Sequence, residues 1–290
     1  MKTGFLIINY NDFESTEKLI NNIKDYKIID EIIVVDNKST DNSLKQLKKI
    51  KLTNLKIVSS DKNNGYSSAI NLGCKELIKD LGKCNIIISN ADIIINKEDD
   101  LKQLLDDLNK KDIGVVAPTI LEHNNLNRGW KMPKPIVEVL LNLPYIHRFI
   151  RRKYVFYKDE YYKNKTSIVD VVSGCFFLIK SSVLEEINYL DENVFLYYEE
   201  NILSSKLKKI DKKVLVNNNI NIVHNHSVTI NKNLNKIKKY KMQKKSQYYF
   251  EKNYNNANIV ELLLLKTTAF LTKLILYVYY YILDIIKRFK

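Results

Sequence analysis

Asp92 is the side chain of this sequence best placed to do chemistry. It lies in Asn85-Ile-Ile-Ile-Ser-Asn-Ala-Asp-Ile-Ile-Ile95, where a β-branched run ends, the polar triplet Asn90-Ala91-Asp92 follows, and a second apolar run begins. The first run reads as a buried, parallel-type strand. A carboxylate at the carboxyl end of such a strand stands where open α/β sheets place ligand chemistry. Its hard oxygens suit a divalent cation bound to phosphates. A strand followed by an ordinary polar turn explains the same stretch, so the rest of the chain has to decide.

Three further polar clusters repeat the arrangement. They are Asn9-Tyr10-Asn11-Asp12, Asp36-Asn37-Lys38-Ser39-Thr40-Asp41 and Asp61-Lys62-Asn63-Asn64-Gly65-Tyr66. Each follows an apolar run at Gly4–Asn9, Glu31–Asp36 or Leu55–Ser59. Helix capping accounts for one Asx or Ser per helix start, with Asp41 and Ser67 fitting N-caps. It does not account for four clusters on one edge of a sheet.

The elements that must position these residues alternate over the first 120 or so positions. Strand patterns at Gly4–Asn9, Glu31–Asp36, Leu55–Ser59, Asn85–Ser89 and Gly114–Pro118 are separated by helical patterns at Phe13–Tyr26, Asp41–Ile50, Ser67–Lys79 and Glu98–Lys110. That order predicts a Rossmann-like, doubly wound, mostly parallel sheet. Between Glu122 and Asp170 the alternation stops, and Trp130, Pro133, Pro135, Pro144 and the aromatic-basic run His147 to Tyr162 read as an irregular insertion shaping a cleft. Val169–Ile179 reads as one strand interrupted by Ser173-Gly174-Cys175, since glycine inside a strand marks a bulge or close approach. Ser181–Ile187 and a segment running to Ile210 read as helices, and Lys213–Asn217 and Asn221–His226 as two short strands. His224 and His226, at the end of the second, are either ligands or polar residues closing a strand.

The chain has 290 residues, 45% of them hydrophobic, which is enough for a sizeable core and excludes a disordered chain. Its net charge of +14 points to an anionic partner, although abundant Lys, Asn and Ile are what AT-rich coding produces. Cys74, Cys84 and Cys175 form no CxxC pair and no zinc-like spacing with histidine, so they read as buried thiols of a reducing cytoplasm. The chain starts directly on a strand pattern, with no cleavable leader expected.

In order, these motifs resemble an inverting glycosyltransferase of the large family-2 class with the GT-A fold, closest to the bacterial rhamnosyltransferase-like group that builds cell-surface polysaccharides. The resemblance covers Thr3 to about Asn253. Ile7-Ile-Asn-Tyr-Asn11 looks like the family's first-strand signature, bringing in Asn9. Val34-Val-Asp-Asn-Lys-Ser-Thr-Asp-Asn-Ser43 is similar to its nucleotide-binding stretch, which implies that Asp36, Asn37 and Asp41 meet the donor. Asn63-Asn-Gly-Tyr-Ser-Ser-Ala-Ile-Asn-Leu-Gly73 looks like the next block, with Asn64, Gly65 at a close turn and Asn71 facing the donor. Asn90-Ala-Asp92 stands where the family has a DxD-type metal motif, with Asn in the first place and Asp92 as the main ligand of Mg²⁺ or Mn²⁺. Gly174 lies in a small-residue turn beside the acceptor. Glu199-Glu200 stands for a Glu-Asp pair, so Glu200 inherits the role of catalytic base, and His224 matches a histidine that helps hold metal or pyrophosphate. Ile202 and Lys206 replace the acid and the arginine often found there. Lys245-Ser-Gln-Tyr-Tyr-Phe-Glu-Lys252 is similar to the family's C-terminal helix.

The resemblance implies a catalytic domain at residues 1–230, with a nucleotide-sugar half at 1–120 and an acceptor and base half at 121–230. A UDP- or dTDP-sugar would be the donor and a glycan or lipid-linked glycan the acceptor. Residues 231–290 read as a membrane-association region. Asn233 to Asn253 is strongly basic, and Ile259 to Lys290 sets Lys266, Lys273, Tyr277, Tyr280 and Asp284 on one face of an otherwise apolar helix. No apolar run reaches the ~20 residues of a span, so the helix is expected to lie in a membrane interface, placing the protein peripherally on the inner face of the cell membrane. Packing of that helix on the catalytic domain is the alternative. No Gln-x-x-Arg-Trp element is present, which favours single additions over processive synthesis. A nucleotidyltransferase or polyprenyl-phosphate glycosyltransferase on the same fold, an inactive relative acting as a partner, and a basic nucleic-acid-binding protein remain rivals. No nucleic-acid motif supports the last, and no GxGxxG supports an oxidoreductase.

Overall fold

The computed structural model describes residues 1–122, 125–225 and 236–288. Along the chain run β1 (Lys2–Asn9), α1 (Phe13–Ile23), β2 (Glu31–Asp36), α2 (Ser43–Leu47), β3 (Leu55–Ser59), α3 (Tyr66–Leu81), β4 (Cys84–Asn90), β5 (Ile93–Ile94) and α4 (Glu98–Leu108). Then come β6 (Ile113–Glu122), β7 (Asn125–Asn127), α5 (Pro135–Leu141), α6 (His147–Tyr154), a 3-10 turn at Asp159–Tyr162, β8 (Thr166–Val169), β9 (Phe176–Lys180), α7 (Ser181–Glu186), α8 (Glu199–Lys209), β10 (Lys213–His224), α9 (Lys236–Asn253) and α10 (Ile259–Arg288). The described strands form one sheet in the order β3-β2-β1-β4-β9-β6-β10-β5, with β7 on β6 and β8 on β10.

The fold is the GT-A-like α/β architecture expected, with a sheet that is mostly parallel but mixed. β1 pairs in parallel with β2 and β4, and β6 with β10. β9 enters antiparallel between β4 and β6. The central strands are apolar on both faces because helices cover both. Leu19, Ile20 and Ile23 of α1 and Leu101, Leu104 and Leu108 of α4 pack on one face. Ala69, Ile70, Cys74 and Leu77 of α3, Val183 and Leu184 of α7, and Leu203 and Leu207 of α8 pack on the other. All three cysteines are free and buried.

Three sequence expectations are corrected. Val169–Ile179 is not one interrupted strand: β8 pairs with β10 while β9 lies between β4 and β6, and residues 170–175 carry the chain between those places. Lys213–Asn217 and Asn221–His226 are not two strands, because β10 runs unbroken through an irregularity between Asn217 and Asn221. The region from Glu122 to Asp170 is more regular than expected, holding α5, α6, β7 and β8. His226 and the domain boundary at 230/231 lie outside the described residues.

The basic helix α9 packs on the α/β body. Phe250 is fully buried among Val194 and Ile202, and the Tyr249 and Tyr254 hydroxyls donate to Asp191 Oδ2 at 2.8 and 2.6 Å. The first half of α10 lies against α5 and α9 through Leu262, Leu265 and Thr272, whereas Leu274, Ile275, Val278 and Ile282 are exposed. No described helix is long and apolar enough to cross a membrane.

Candidate active site

The end of β4 and the end of β10 are brought together by β5. Ile93 and Ile94 pair antiparallel with His224 and Val223, and the Asn225 N–H donates to the Asp92 carbonyl at 2.9 Å. This pairing sets His224 Nε2 3.1 Å from Asp92 Oδ1. The other ring nitrogen, Nδ1, lies 3.0 Å from Glu122 Oε1 at the end of β6. Burial alone would lower the His224 pKa, but hydrogen bonds to Asp92, Cys175 and Glu122 carry it up to about 12. Glu122, Cys175 and His224 bring their ligand atoms within 4.8 Å of one another.

The donor set fits a divalent cation. Asp92 offers a hard oxygen and His224 an imidazole nitrogen, 3.1 Å apart. Glu122 on the far nitrogen fixes the ring and its tautomer, as carboxylates behind metal-bound histidines do.

Ser173-Gly174-Cys175 joins this end of the site to the next. The Asn90 N–H donates to the Cys175 carbonyl at 2.8 Å, and the Gly174 N–H donates to Glu200 Oε1 at 3.2 Å. A Cβ on Gly174 would stand 3.0 Å from that carboxylate oxygen, so glycine is what admits Glu200. Glu199 and Glu200 open α8 side by side. Burial raises both carboxyl groups above the ordinary range, and the charge of Glu200 adds to the rise at Glu199. Glu199 Oε2 is buried without a hydrogen-bond partner. A cavity of about 10 Å³, room for one water, is lined by Tyr66, Gly174, Glu199, Glu200 and Ser204.

The backbone ahead of these acids is strained. Tyr197 and Tyr198 have φ of 71° and 69°, a left-handed conformation that bulky residues rarely adopt. Tyr198 is held there from the far side: its hydroxyl donates to Glu138 Oε2 at 2.8 Å, Gln247 Nε2 donates to the same oxygen at 2.7 Å, and its ring packs on Phe250. Thus α5 and α9 brace the corner that carries the paired acids.

The expected substrate residues divide into three groups. Asn90 joins the site through Tyr66, whose hydroxyl donates to Asn90 Oδ1 at 2.7 Å and lies 2.9 Å from the Gly174 carbonyl. A neutral amide oxygen in this place takes a donor and leaves the acid role to Asp92. Gly65, at φ 105°, approaches Phe195 so closely that a Cβ would stand 2.3 Å from its carbonyl oxygen, and Asn64 beside it is exposed. Asp41 is exposed too, and its Oδ1 accepts from Ser43 N at 2.9 Å.

The side chains of Asp36, Asn9, Asn37 and Asn71 are buried and hydrogen-bonded within the protein. Asp36 and Asn9 are fully buried. Asn9 Nδ2 donates to Asp36 Oδ2 at 2.7 Å, the Ser39 hydroxyl to the same oxygen at 2.6 Å, and the Ser39 N–H to Oδ1 at 3.0 Å. Asn37 Nδ2 donates to Asn63 Oδ1 and the Gly65 carbonyl, at 3.1 and 3.2 Å. The Asn71 amide is spent on the Leu190 backbone and Glu192. These side chains fix the loops at the sheet edge, and the loops carry the exposed groups.

Sequence reasoning missed Glu122, Tyr66, Cys175 and Glu138 as parts of the site. Glu122 could have been flagged as a carboxylate at the end of a fifth strand. Nothing in the local sequence marks Glu138, which acts across the fold.

The family profile described as Glycosyl transferase family 2 matches residues 5–188. Low-salt glycan biosynthesis hexosyltransferase Agl10 of Haloferax volcanii is 26% identical over 197 residues, covering 68% of this chain and 58% of the relative. The chain therefore spans a little over half the length of that relative. Among solved structures, GalNAc-T7 with UDP, GalNAc and Mn²⁺ superposes with a TM-score of 0.61 at 16% identity, covering 77% of this chain and 44% of that one. The mannosyltransferase PcManGT of Pyrobaculum calidifontis, in complex with GDP-Man and Mn²⁺, gives 0.58 at 13% identity over 93% of this chain and 73% of its own.

Proposed function

This chain belongs to glycosyl transferase family 2, and from that premise we propose that it moves a hexose or rhamnose from a UDP- or dTDP-sugar to a glycan or lipid-linked glycan, with inversion. It is a glycosyltransferase; donor, acceptor, stereochemistry and subgroup are the proposal. The observation that carries it is the line Glu122–His224–Asp92, joined through the turn at Gly174 to Glu200.

In this reading Asp92 and His224 hold Mg²⁺ or Mn²⁺, with Glu122 orienting the imidazole. The cation supplies charge neutralisation at the departing diphosphate. Glu200 takes the proton of the acceptor hydroxyl as it attacks opposite the leaving group. Its raised pKa makes it a stronger base than a surface carboxylate, and the Gly174 N–H aims one of its oxygens. Glu199 stands beside it, its carboxyl raised by burial and by the charge of Glu200. Asn9, Asp36, Asn37 and Asn71 shape the donor loops from behind, while Asp41, Asn64 and Gly65 present them. Contact with the membrane through α9 and α10 would place the enzyme on the inner face of the cell membrane, where a lipid-linked acceptor is found.

The test is a panel of UDP-, dTDP- and GDP-sugars, with and without Mn²⁺, followed by nucleoside diphosphate release and the anomeric configuration of the product. One donor should turn over only with metal, and D92A and E200Q should lose most of that activity. Full activity in both variants refutes the site. Donor binding without turnover of any sugar favours the inactive relative.

A further inference from the structure

We propose that α6, the turn before it and the outer half of α10 form a single docking face for an anionic phospholipid bilayer. The proposal rests on the membrane contact proposed above and moves its centre from the C-terminal helices to a basic, aromatic rim inside the catalytic domain. That rim has no part in the chemistry.

Helix α6 reads His-Arg-Phe-Ile-Arg-Arg-Lys-Tyr. Ile150 turns inward and is buried, while Arg148, Arg151 and Arg152 are exposed. The apolar residues around them are also exposed. Phe149 is 66% exposed, and Tyr145, held in a left-handed conformation at φ 70°, is 90% exposed. A groove of about 820 Å³ separates this turn from α10, with Leu274, Val278 and Ile282 on its far wall. Contiguous exposed apolar surface of this kind marks an interaction site rather than ordinary surface scatter.

Its composition identifies the occupant. Aromatic and aliphatic side chains set among arginines match the headgroup–acyl boundary of a bilayer, where the rings sink and the guanidinium groups meet lipid phosphates. A nucleic acid would use the arginines and leave the apolar groove without a partner. A second copy, joined about a two-fold axis through this face, would set the arginines of both chains against each other. No described helix is long and apolar enough to cross, so the face rests on the surface.

The face is tied to the catalytic corner. Asn142, just after α5, accepts from Thr272 of α10 at its carbonyl (2.6 Å), and Glu138 of α5 accepts from Tyr198, which precedes the paired acids. Docking through α6 and α10 therefore fixes Glu199 and Glu200 relative to the lipid surface through one helix.

The experiment is flotation of the full-length protein with vesicles of phosphatidylcholine, alone or mixed with phosphatidylglycerol, at low and high salt. Nucleoside diphosphate release without lipid is measured in parallel. Three variants are compared with the parent: R148Q/R151Q/R152Q, Y145S/F149S and V278D/I282D. The arginine variant should lose roughly a hundredfold in affinity for mixed vesicles at low salt, from about fivefold per charge, and the loss should shrink in salt. The aromatic variant should bind both kinds of vesicle more weakly. Melting temperature and lipid-free nucleotide release should match the parent in both. Parent-like flotation of the first two variants, with binding lost only in V278D/I282D, overturns the role of α6 and leaves a C-terminal anchor. A parent protein that floats with neither vesicle overturns every membrane contact, while its nucleotide release still reports on the glycosyltransferase reading.

Discussion

The loop after β2 and the region around the Gly174 turn hold their carboxylates in opposite ways. At β2, Asp36 is enclosed by neutral donors: the Asn9 amide, the Ser39 hydroxyl and the Ser39 N–H all point at it. At the start of α8, Glu199 has a buried oxygen with no partner and a second acid beside it. At the end of β4, Asp92 faces a histidine that is itself pinned by Glu122. Burial alone thus does not mark a reactive acid. A carboxylate whose lone pairs are filled by its own loop is scaffold. One that is desolvated, crowded by like charge or paired with a histidine is a candidate for chemistry.

The contrast can be broken by substitution. The largest effect is expected for E200Q, which keeps the Gly174 contact but removes the base. Its kcat should fall by about 10² to 10⁴ with donor binding nearly unchanged. The parent's kcat/KM should fall on acidification through a limb above the ordinary carboxylate range, because burial raises the Glu200 pKa and the ionised form is needed. An unshifted limb near the ordinary value would count against Glu200 as base.

E122Q comes next. The imidazole loses its charged orienting partner, so Mn²⁺ affinity measured by calorimetry should weaken about 10- to 100-fold while the fold is kept. Affinity equal to the parent's would assign Glu122 to structure alone.

D36A should do the reverse. It removes the buried acceptor of the Asn9 amide, the Ser39 hydroxyl and the Ser39 N–H, costing about 1–3 kcal/mol of stability and raising the donor KM through a loosened loop. Metal affinity should not move. A parent-like melting curve would remove Asp36 from the scaffold class.

An effect on stability alone, away from the site, is expected at Glu251, a buried carboxyl in α9 whose pKa burial raises to about 8, with Glu138 adding to the rise. A raised carboxylate contributes stability that is fully present below its unfolded pKa and lost as pH rises through the folded value. Parent stability should therefore decline between roughly pH 4.5 and 8, and E251Q should flatten that decline. Parallel stability profiles would refute it.

Much of this was legible in the chain. β2 and β3 fall where the apolar runs place them, and α1, α3 and α4 begin within a residue of the expected starts, because a buried strand and an amphipathic helix each leave a local pattern. The Glu199-Glu200 pair and the Asp92–His224 pair were named from motif order, and the structure brings them to either side of one turn. Glu122, Tyr66 and Glu138 were not found. Each acts on a residue far away in sequence, and no local pattern encodes a partner brought close by sheet order.

The sequence by itself determined the family, the alternation of strands and helices, and the row of polar clusters at the carboxyl ends of the strands. The alternation and the polar clusters follow from periodicity and residue type, which are local properties of a chain, and the family follows from the resemblance of its ordered motifs. Only the tertiary structure decided which polar residues are spent. It turned Asp36 inward to its own loop and inserted β9 antiparallel so that the turn at Gly174 meets Glu200. It also paired β5 with β10 so that Asp92 faces His224. The physical reason is that hydrogen-bond satisfaction and desolvation depend on neighbours in space, and for Asp92 that neighbour comes from a strand more than a hundred residues away.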